Sequence, residues 1–357
     1  NPQTVEGEYK RYADTHVSLG DTGGFEENIL EKVTESASPT KGYLYGPYGY
    51  GKTSTSVSIW NTLSGNSVIA VPPFTMDSFS SVMRAAYGWI SFSLEAEAPG
   101  YVEPLVDIRE RYLREEIRAV AEEKQDEHEL PAVVLVGVVA DLEASGELDL
   151  SIDSDTVIDF FDECTDLVTE AGFDGLVVIA DEFQQYFKSA DNRKEAEADF
   201  RQFVMDLQSG ANIANEYGFF IAMPEQTKGR LDTEAEDVLN RLQNDNLTLN
   251  LRNVYDKDFP KDLWNRYADR FGFDDRKYDV ISEFALDASG QICSRQDLSN
   301  GPRTVMDIFR IALRQYTASE ETFTPLDLAE AFHKGEVRYQ GSSTKIQTAI
   351  GDALDHS

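Results

Sequence analysis

Residues Gly46-Pro47-Tyr48-Gly49-Tyr50-Gly51-Lys52-Thr53 match the pattern G-x-x-x-x-G-K-[ST] at every fixed position, the spacing that holding a chain of phosphates requires. Gly46, Gly49 and Gly51 let the backbone curl close to an anion. The successive N–H groups of such a loop, with the N-terminus of the helix after it, form a ready-made anion site. Lys52 then reaches the β- and γ-phosphates, Thr53 offers its hydroxyl oxygen to Mg²⁺, and Pro47, Tyr48, Tyr50 and Ser54 complete the contact with the nucleotide. A second acidic element lies at Asp181-Glu182, directly after the apolar run Gly175 to Ala180. In open parallel sheets, ligands bind beyond the carboxyl ends of the strands. There Asp181 would hold Mg²⁺ through water and Glu182 would polarise an attacking water, so that Glu after Asp is the pattern of a hydrolase and not only of a binder.

Those residues need a sheet and a helix to carry them. Tyr43-Leu44-Tyr45 reads as the end of a buried strand, and Ser54 to Leu63 as a helix with Val57, Ile59, Trp60 and Leu63 on its apolar side. Ser67 to Val71 predicts a second strand closed by Pro72-Pro73, and Asp77 a cap for a helix over 78–94. Gly175 to Ala180 has no polar alternation, as in a strand buried inside a parallel sheet. Phe219 to Met223, ended by Pro224, and Leu247 to Leu251 predict two more strands, with a helix over 195–215 before them.

Ahead of this, residues 1–40 are polar, with one short amphipathic helix on Phe25, Ile29, Leu30 and Val33. Residues 95–155 read as an insertion: a helix over 107–125, an apolar run over 130–142 that periodicity leaves open as buried strand or core helix, and an acidic loop. A helix over 157–171 follows. Beyond the fifth strand the pattern turns helical, at 258–271, 278–288, 304–316 and 325–333. The fold class expected is α/β: a phosphate-loop three-layer sandwich on a parallel sheet, with a helical insertion and a C-terminal helical lid domain. The divisions expected are an N-terminal arm at 1–40, an ATPase core at 41–253, a lid at 254–320 and a helical segment at 321–357 that continues in a longer protein. The opening residue, Asn1 and not Met, also reads as a processed or partial chain.

The 357 residues carry 32 Lys+Arg against 65 Asp+Glu, a formal net charge of -33, and the acid is dispersed along the chain. Lysine is scarce, 13 against 19 arginines. Carboxylates hold water and hydrated cations in molar salt, where a Debye length of about 3 Å removes their mutual repulsion. A salt-adapted, halophilic and cytoplasmic protein is the expectation; an acidic interaction protein whose charge gathers on one surface is the competing one. Cys164 and Cys293 are too few for a disulfide framework, and no apolar run is long enough for a membrane span. Arg109, Arg111, Arg114 and Arg118 along one helix could meet nucleic acid. Interleaved by Glu110, Glu115, Glu116 and Glu122, they read more simply as a salt-laced solvated face.

The order of phosphate loop, strand-Asp-Glu, strand with a polar residue after it, arginine before a fifth strand, and a helical lid with Gly301-Pro302-Arg303 resembles the AAA+ superfamily of P-loop ATPases. The branch most similar is that of archaeal replication initiators and related switch ATPases. The likeness covers residues 20–316 apart from the insertion, which accounts for the 129 positions between Lys52 and Asp181. It implies an ATPase using Mg²⁺, an arginine finger at Arg241 that touches a neighbouring subunit's γ-phosphate, and a second sensor at Arg303. Arg241 reads equally as a surface helix arginine, and Arg230 is its rival. The first sensor departs from the family pattern, with Gln226 or Thr227 in its place. A looser resemblance, to the large ATPases of bacteriophage-exclusion (BREX-type) defence systems, rests on the tyrosine- and glycine-rich loop, the long insertion and the helical segment Phe323–Tyr339. The function implied is ATP binding and hydrolysis by a switch or motor in antiviral defence or DNA transactions, with protein partners or a self-oligomer. The alternatives are a nucleotide-sensing scaffold and a DNA-loading initiator.

Overall fold

In the computed structural model, which describes residues 2–17, 20–35, 38–128, 130–189, 193–210, 213–243, 247–295, 298, 301–339 and 342–355, two helices precede the first strand. They are α1 (Pro2–Ala13) and α2 (Gly20–Glu35), ahead of β1 (Thr40–Gly46). Phe25, Ile29 and Val33 bury the predicted stripe of α2. Periodicity does not announce α1, whose docking rests on Tyr9: its ring meets Trp60 edge-on at 5.9 Å and its hydroxyl donates to the Pro73 carbonyl at 2.9 Å.

After the loop comes α3 (Lys52–Ser64), then β2 (Val68–Thr75). Pro72-Pro73 does not close β2 as the sequence predicts. The strand is at the sheet edge, where one of two adjacent prolines can face away from the ladder, and a register shift between Val71 and Phe74 takes up the other. The cap of α4 (Phe79–Glu97) is Ser78 and not Asp77: its side chain accepts from the Ser81 N–H in a reciprocal capping box. The insertion folds as α5 (Val102–His128) and α6 (Ala132–Ser145), so the open reading of the apolar run resolves as helix. Then follow α7 (Ser154–Glu170), β3 (Gly175–Asp181), α8 (Gln184–Ser189), α9 (Arg193–Ser209), β4 (Tyr217–Pro224), α10 (Glu225–Glu234), α11 (Glu236–Leu242) and β5 (Thr248–Asn250). The helix expected over 195–215 ends at Ser209, and its positions 211–212 lie outside the described residues.

The five strands form one parallel sheet in the order β2-β3-β4-β1-β5. Every residue of β3 and of β4 is buried, which is why both read as unbroken apolar runs. The α/β expectation is borne out.

The C-terminal helices are α12 (Phe259–Phe271), α13 (Lys277–Val280), α14 (Glu283–Cys293), α15 (Pro302–Ser319), α16 (Pro325–His333) and α17 (Ser343–Asp355). The single helix expected over 278–288 is broken in two. Ser282 donates its N–H to the Phe323 carbonyl at 2.9 Å, leaving the helix path, and its hydroxyl then caps α14 at the Ala285 N–H. Trp264, Leu286, Ile308, Phe309, Phe323 and Ile346 are among the buried residues of this region's core.

The chain divides into two compact units. One is Asn1–Tyr9, Phe25–Leu44 and Ile59–Thr248; the other is Lys10–Gly24, Tyr45–Ser58 and Leu249–Ser357. The phosphate loop thus belongs with the C-terminal helices, and Asp181-Glu182 with the strands. Among the described residues no helix is long and apolar enough to cross a membrane.

Candidate functional site

The loop leaves β1 at Gly46 and enters α3 at Lys52, the strand-to-helix junction that the motif needs. Gly49 and Gly51 adopt φ of +87° and +79°, values that side-chain-bearing residues rarely reach. Each glycine also meets a neighbour. A Cβ on Gly51 would lie 2.7 Å from the Tyr255 hydroxyl, and one on Gly46 would lie 3.1 Å from Leu251 Cβ. The loop is therefore fixed by its sequence and by what abuts it. The first turn of α3 directs the N–H groups of Lys52, Thr53 and Ser54 out of the helix N-terminus, where the macrodipole favours an anion.

Lys52 is buried, with Nζ donating to the carbonyls of Gly46 at 3.2 Å and Pro47 at 3.0 Å, and it lies 5.2 Å from the centre of the exposed Tyr48 ring. Thr53 is exposed. Behind it, Ser54 Oγ is 2.9 Å from Nδ1 of His16, whose pKa falls to about 4 through burial and then the Arg266 charge, so the ring is neutral at pH 7. Neither His16 nor the contact is signalled in the sequence.

Within this unit the structure brings Arg303 to the loop. A Cβ on Gly49 would lie 3.1 Å from Arg303 Cβ and 3.2 Å from its Nε. The preceding Gly301, at φ +58°, packs against the Tyr50 ring, where a Cβ would meet Cδ1 at 3.1 Å. Tyr255 completes the arrangement: its hydroxyl donates to the Tyr50 carbonyl, and the two rings meet edge-on at 5.9 Å. Burial, with Cys293 and Tyr50 adding to it, pushes the Tyr255 hydroxyl well above its ordinary pKa and keeps it a donor.

In the other unit, Asp181 ends β3 buried, and its carboxylate accepts the Glu182 N–H at 2.8 Å. Glu182 is half-exposed and has φ +51°, a left-handed conformation that is costly for a side-chain-bearing residue. The Gln184 side-chain amide donates to the Glu182 carboxylate. Phe183 anchors the turn from below: it is fully buried and packs on Phe200 at 4.6 Å and Phe187 at 5.2 Å. Sequence reasoning missed Gln184 and this aromatic cluster, although Phe183, Tyr186 and Phe187 stand at helical spacing beside the carboxylates.

Of the sensor candidates, Gln226 is exposed and Thr227 buried at the start of α10. Arg241, on α11 before β5, donates from Nη1 to Gln208 Oε1 at 2.6 Å. Arg230 lies 3.8 Å from Glu234 and 5.8 Å from the Phe187 ring centre. On α5, Arg109 is paired with Glu143, Arg111 with Glu163 and Arg118 with Glu115. Thr53 in the one unit and Asp181 in the other each carry a hard oxygen, the donor type that Mg²⁺ takes.

Residues 136–227, which include β3, Asp181-Glu182 and β4, match the family described as "BREX system ATP-binding protein BrxC/D". The resemblance to ATPases of bacteriophage-exclusion systems is borne out over that segment. No curated protein sequence matches the chain. Among solved structures, the chain is similar to the Aeropyrum pernix ORC2 protein in ADPNP–ADP complexes, with 13% identity and a TM-score of 0.47 over 95% of this chain and 68% of that one.

Proposed function

We propose that this chain binds ATP with Mg²⁺ and hydrolyses it, as an AAA+-type switch or motor in antiviral defence. The observation that carries the reading is the Gly46–Thr53 loop, with its two left-handed glycines and its lysine at the start of a helix. The family match over 136–227 supports ATP as the nucleotide and defence as the setting. In this reading Lys52 and the loop N–H groups hold the phosphates. Thr53 and Asp181 would hold Mg²⁺, whose charge would offset that of the phosphates. Glu182 orients and polarises the attacking water, Arg303 senses the γ-phosphate in cis, and Arg241 reaches a neighbouring subunit's γ-phosphate.

One set of mixing experiments tests both the loop and the assembly. Lys52→Ala is expected to lose ATP binding with its circular dichroism unchanged. Arg241→Ala is expected to bind ATP normally and to lose turnover by on the order of 10³-fold, the effect of removing such a charge at phosphoryl transfer. Mixing the two should restore activity, because a mixed interface pairs an intact loop with an intact arginine. Normal hydrolysis by Lys52→Ala would sink the nucleotide site. Absence of rescue, with turnover independent of protein concentration, would leave Arg241 a surface residue. Binding without turnover in the unaltered chain would make it a nucleotide-sensing scaffold.

A further inference from the structure

The insertion helix α6 has two apolar faces and buries one. Leu135, Val139 and Glu143 face inward, and Glu143 takes both Arg84 and Arg109 as ion-pair partners. On the opposite side Val133, Val134 and Val138 are 79%, 46% and 44% exposed, with Leu130 exposed just before the helix. Every choice on that side opposes a free helix in water. Valine is a weak helix former because the turn behind it restricts its side chain. Gly137, in the middle of the stripe, is worse, and nothing lies within 4 Å of where its Cβ would be. Among the described residues no packing accounts for that glycine. A backbone arriving from outside would, because a missing Cβ allows the closest approach.

Charge says what kind of partner. Residues 125–187 contain 17 Asp and Glu and no Lys or Arg. Asp141 and Glu147 are exposed beyond the end of the stripe. Arg84 and Arg109 are held by Glu143, and α5, which packs on α6, carries five bases against nine acids. A second copy docked by the same face would set Asp141 and Glu147 against their own counterparts. We infer that the Leu130–Val138 face docks an amphipathic helix of another protein, one with an apolar stripe flanked by lysine and arginine. Such a helix would lay its stripe over Gly137 between the valines and set its basic flanks against Asp141 and Glu147. The inference stands independently of nucleotide turnover.

The test uses two fluorescent helical peptides of about five turns with the same leucine stripe, one flanked by Lys and Arg and one by Glu and Asp. Each is titrated with the whole chain by anisotropy, at the lowest KCl in which circular dichroism shows it folded. The basic peptide should bind at least about tenfold tighter than the acidic one, and its affinity should fall as salt rises. Val134→Asp with Val138→Asp should reduce that binding about tenfold or more, with the melting temperature retained because both side chains are exposed. Gly137→Ala separates docking from folding: it should raise the melting temperature and weaken the basic peptide. Equal affinity for the two peptides, or binding indifferent to the Asp pair, would overturn the inference. So would sedimentation showing self-association that the Asp pair abolishes, since the occupant would then be a second copy.

Discussion

Glu182 carries a tension that a single residue can reveal. Its backbone is left-handed at φ +51°, where glycine is the favoured residue, yet its carboxylate is held by Gln184 beside the buried Asp181. Ser67 and Glu320 share that left-handed backbone, so what sets Glu182 apart is a carboxylate held beside Asp181, and the proposed water-polarising role is tested there. Glu182→Gln should bind ATP normally and hydrolyse it at least about 10²-fold more slowly, the lower end of what a positioned general base contributes. Glu182→Gly and Glu182→Ala should both be inactive, and the glycine variant should be the more stable by about 1 kcal/mol because it alone fits the backbone. Single-turnover kinetics and thermal melts read the two halves separately. Lost binding in Glu182→Gln would mean that the carboxylate holds ligand and not water, and an alanine variant as stable as the glycine one would remove the strain argument. The strand end that presents the pair is legible in the sequence, because a fully buried strand leaves an unbroken apolar run and its two acids stand out. Gln184 is not legible, since nothing in its spacing says that its amide turns back toward residue 182.

At the scale of elements, the loop is held by a strap that joins residues 205 positions apart, the Tyr255 hydroxyl on the Tyr50 carbonyl. The same hydroxyl occupies the space that a Cβ on Gly51 would need, and the Tyr255 ring packs on Phe259 of α12 at 4.8 Å. The loop conformation is therefore set partly by the helical region of its own unit. Tyr255→Phe keeps the ring and removes the donor. It should weaken ATP binding by about fivefold, the worth of about 1 kcal/mol for one net hydrogen bond, and lower the melting temperature modestly. Calorimetric titration with ATP checks this; unchanged affinity would show that the loop holds its shape without the strap. The glycines of the loop are readable in advance because the motif fixes their spacing, whereas Tyr255 acts through the tertiary fold and has no local signature. The same contrast explains α6. An apolar run of helical length with one face against α5 and the other exposed has no clear period, so strand and helix remain open until packing decides. At Pro72-Pro73 the local rule fails for a different reason: edge position excuses one missing donor and a register shift the other, and both are properties of the sheet.

Over the whole molecule, charge outweighs every other feature of the composition. With 65 acids against 32 bases, even complete pairing of every base would leave half of the acids without one, and residues 125–187 contain no Lys or Arg at all. Many of the ion pairs are exposed, such as Arg201–Asp237, Arg276–Asp279 and Arg314–Glu336, and exposed pairs contribute little to stability at any salt. What salt changes most is therefore the repulsion among the excess carboxylates, which opposes the compact state more than the extended one. At about 0.1 M salt the Debye length is about 10 Å, long enough for neighbouring carboxylates to repel; at about 1 M it is about 3 Å and they do not. The melting temperature should accordingly rise between those concentrations of KCl, most steeply at the low end, and the gain should level off as screening completes. A rise that continues linearly in molar salt, steeper in potassium sulfate than in KCl, would instead indicate salting-out of apolar surface, a different cause. Replacing several exposed acids of that stretch by Asn, for instance Asp155, Asp159 and Asp166, should raise the melting temperature at low KCl and leave it nearly unchanged at high KCl. A melting temperature that is the same at both salts in the unaltered chain would mean that repulsion among the excess carboxylates does not limit its stability. The salt-adapted reading would then fall, and the acidity would belong to an interaction protein whose charge gathers on one surface.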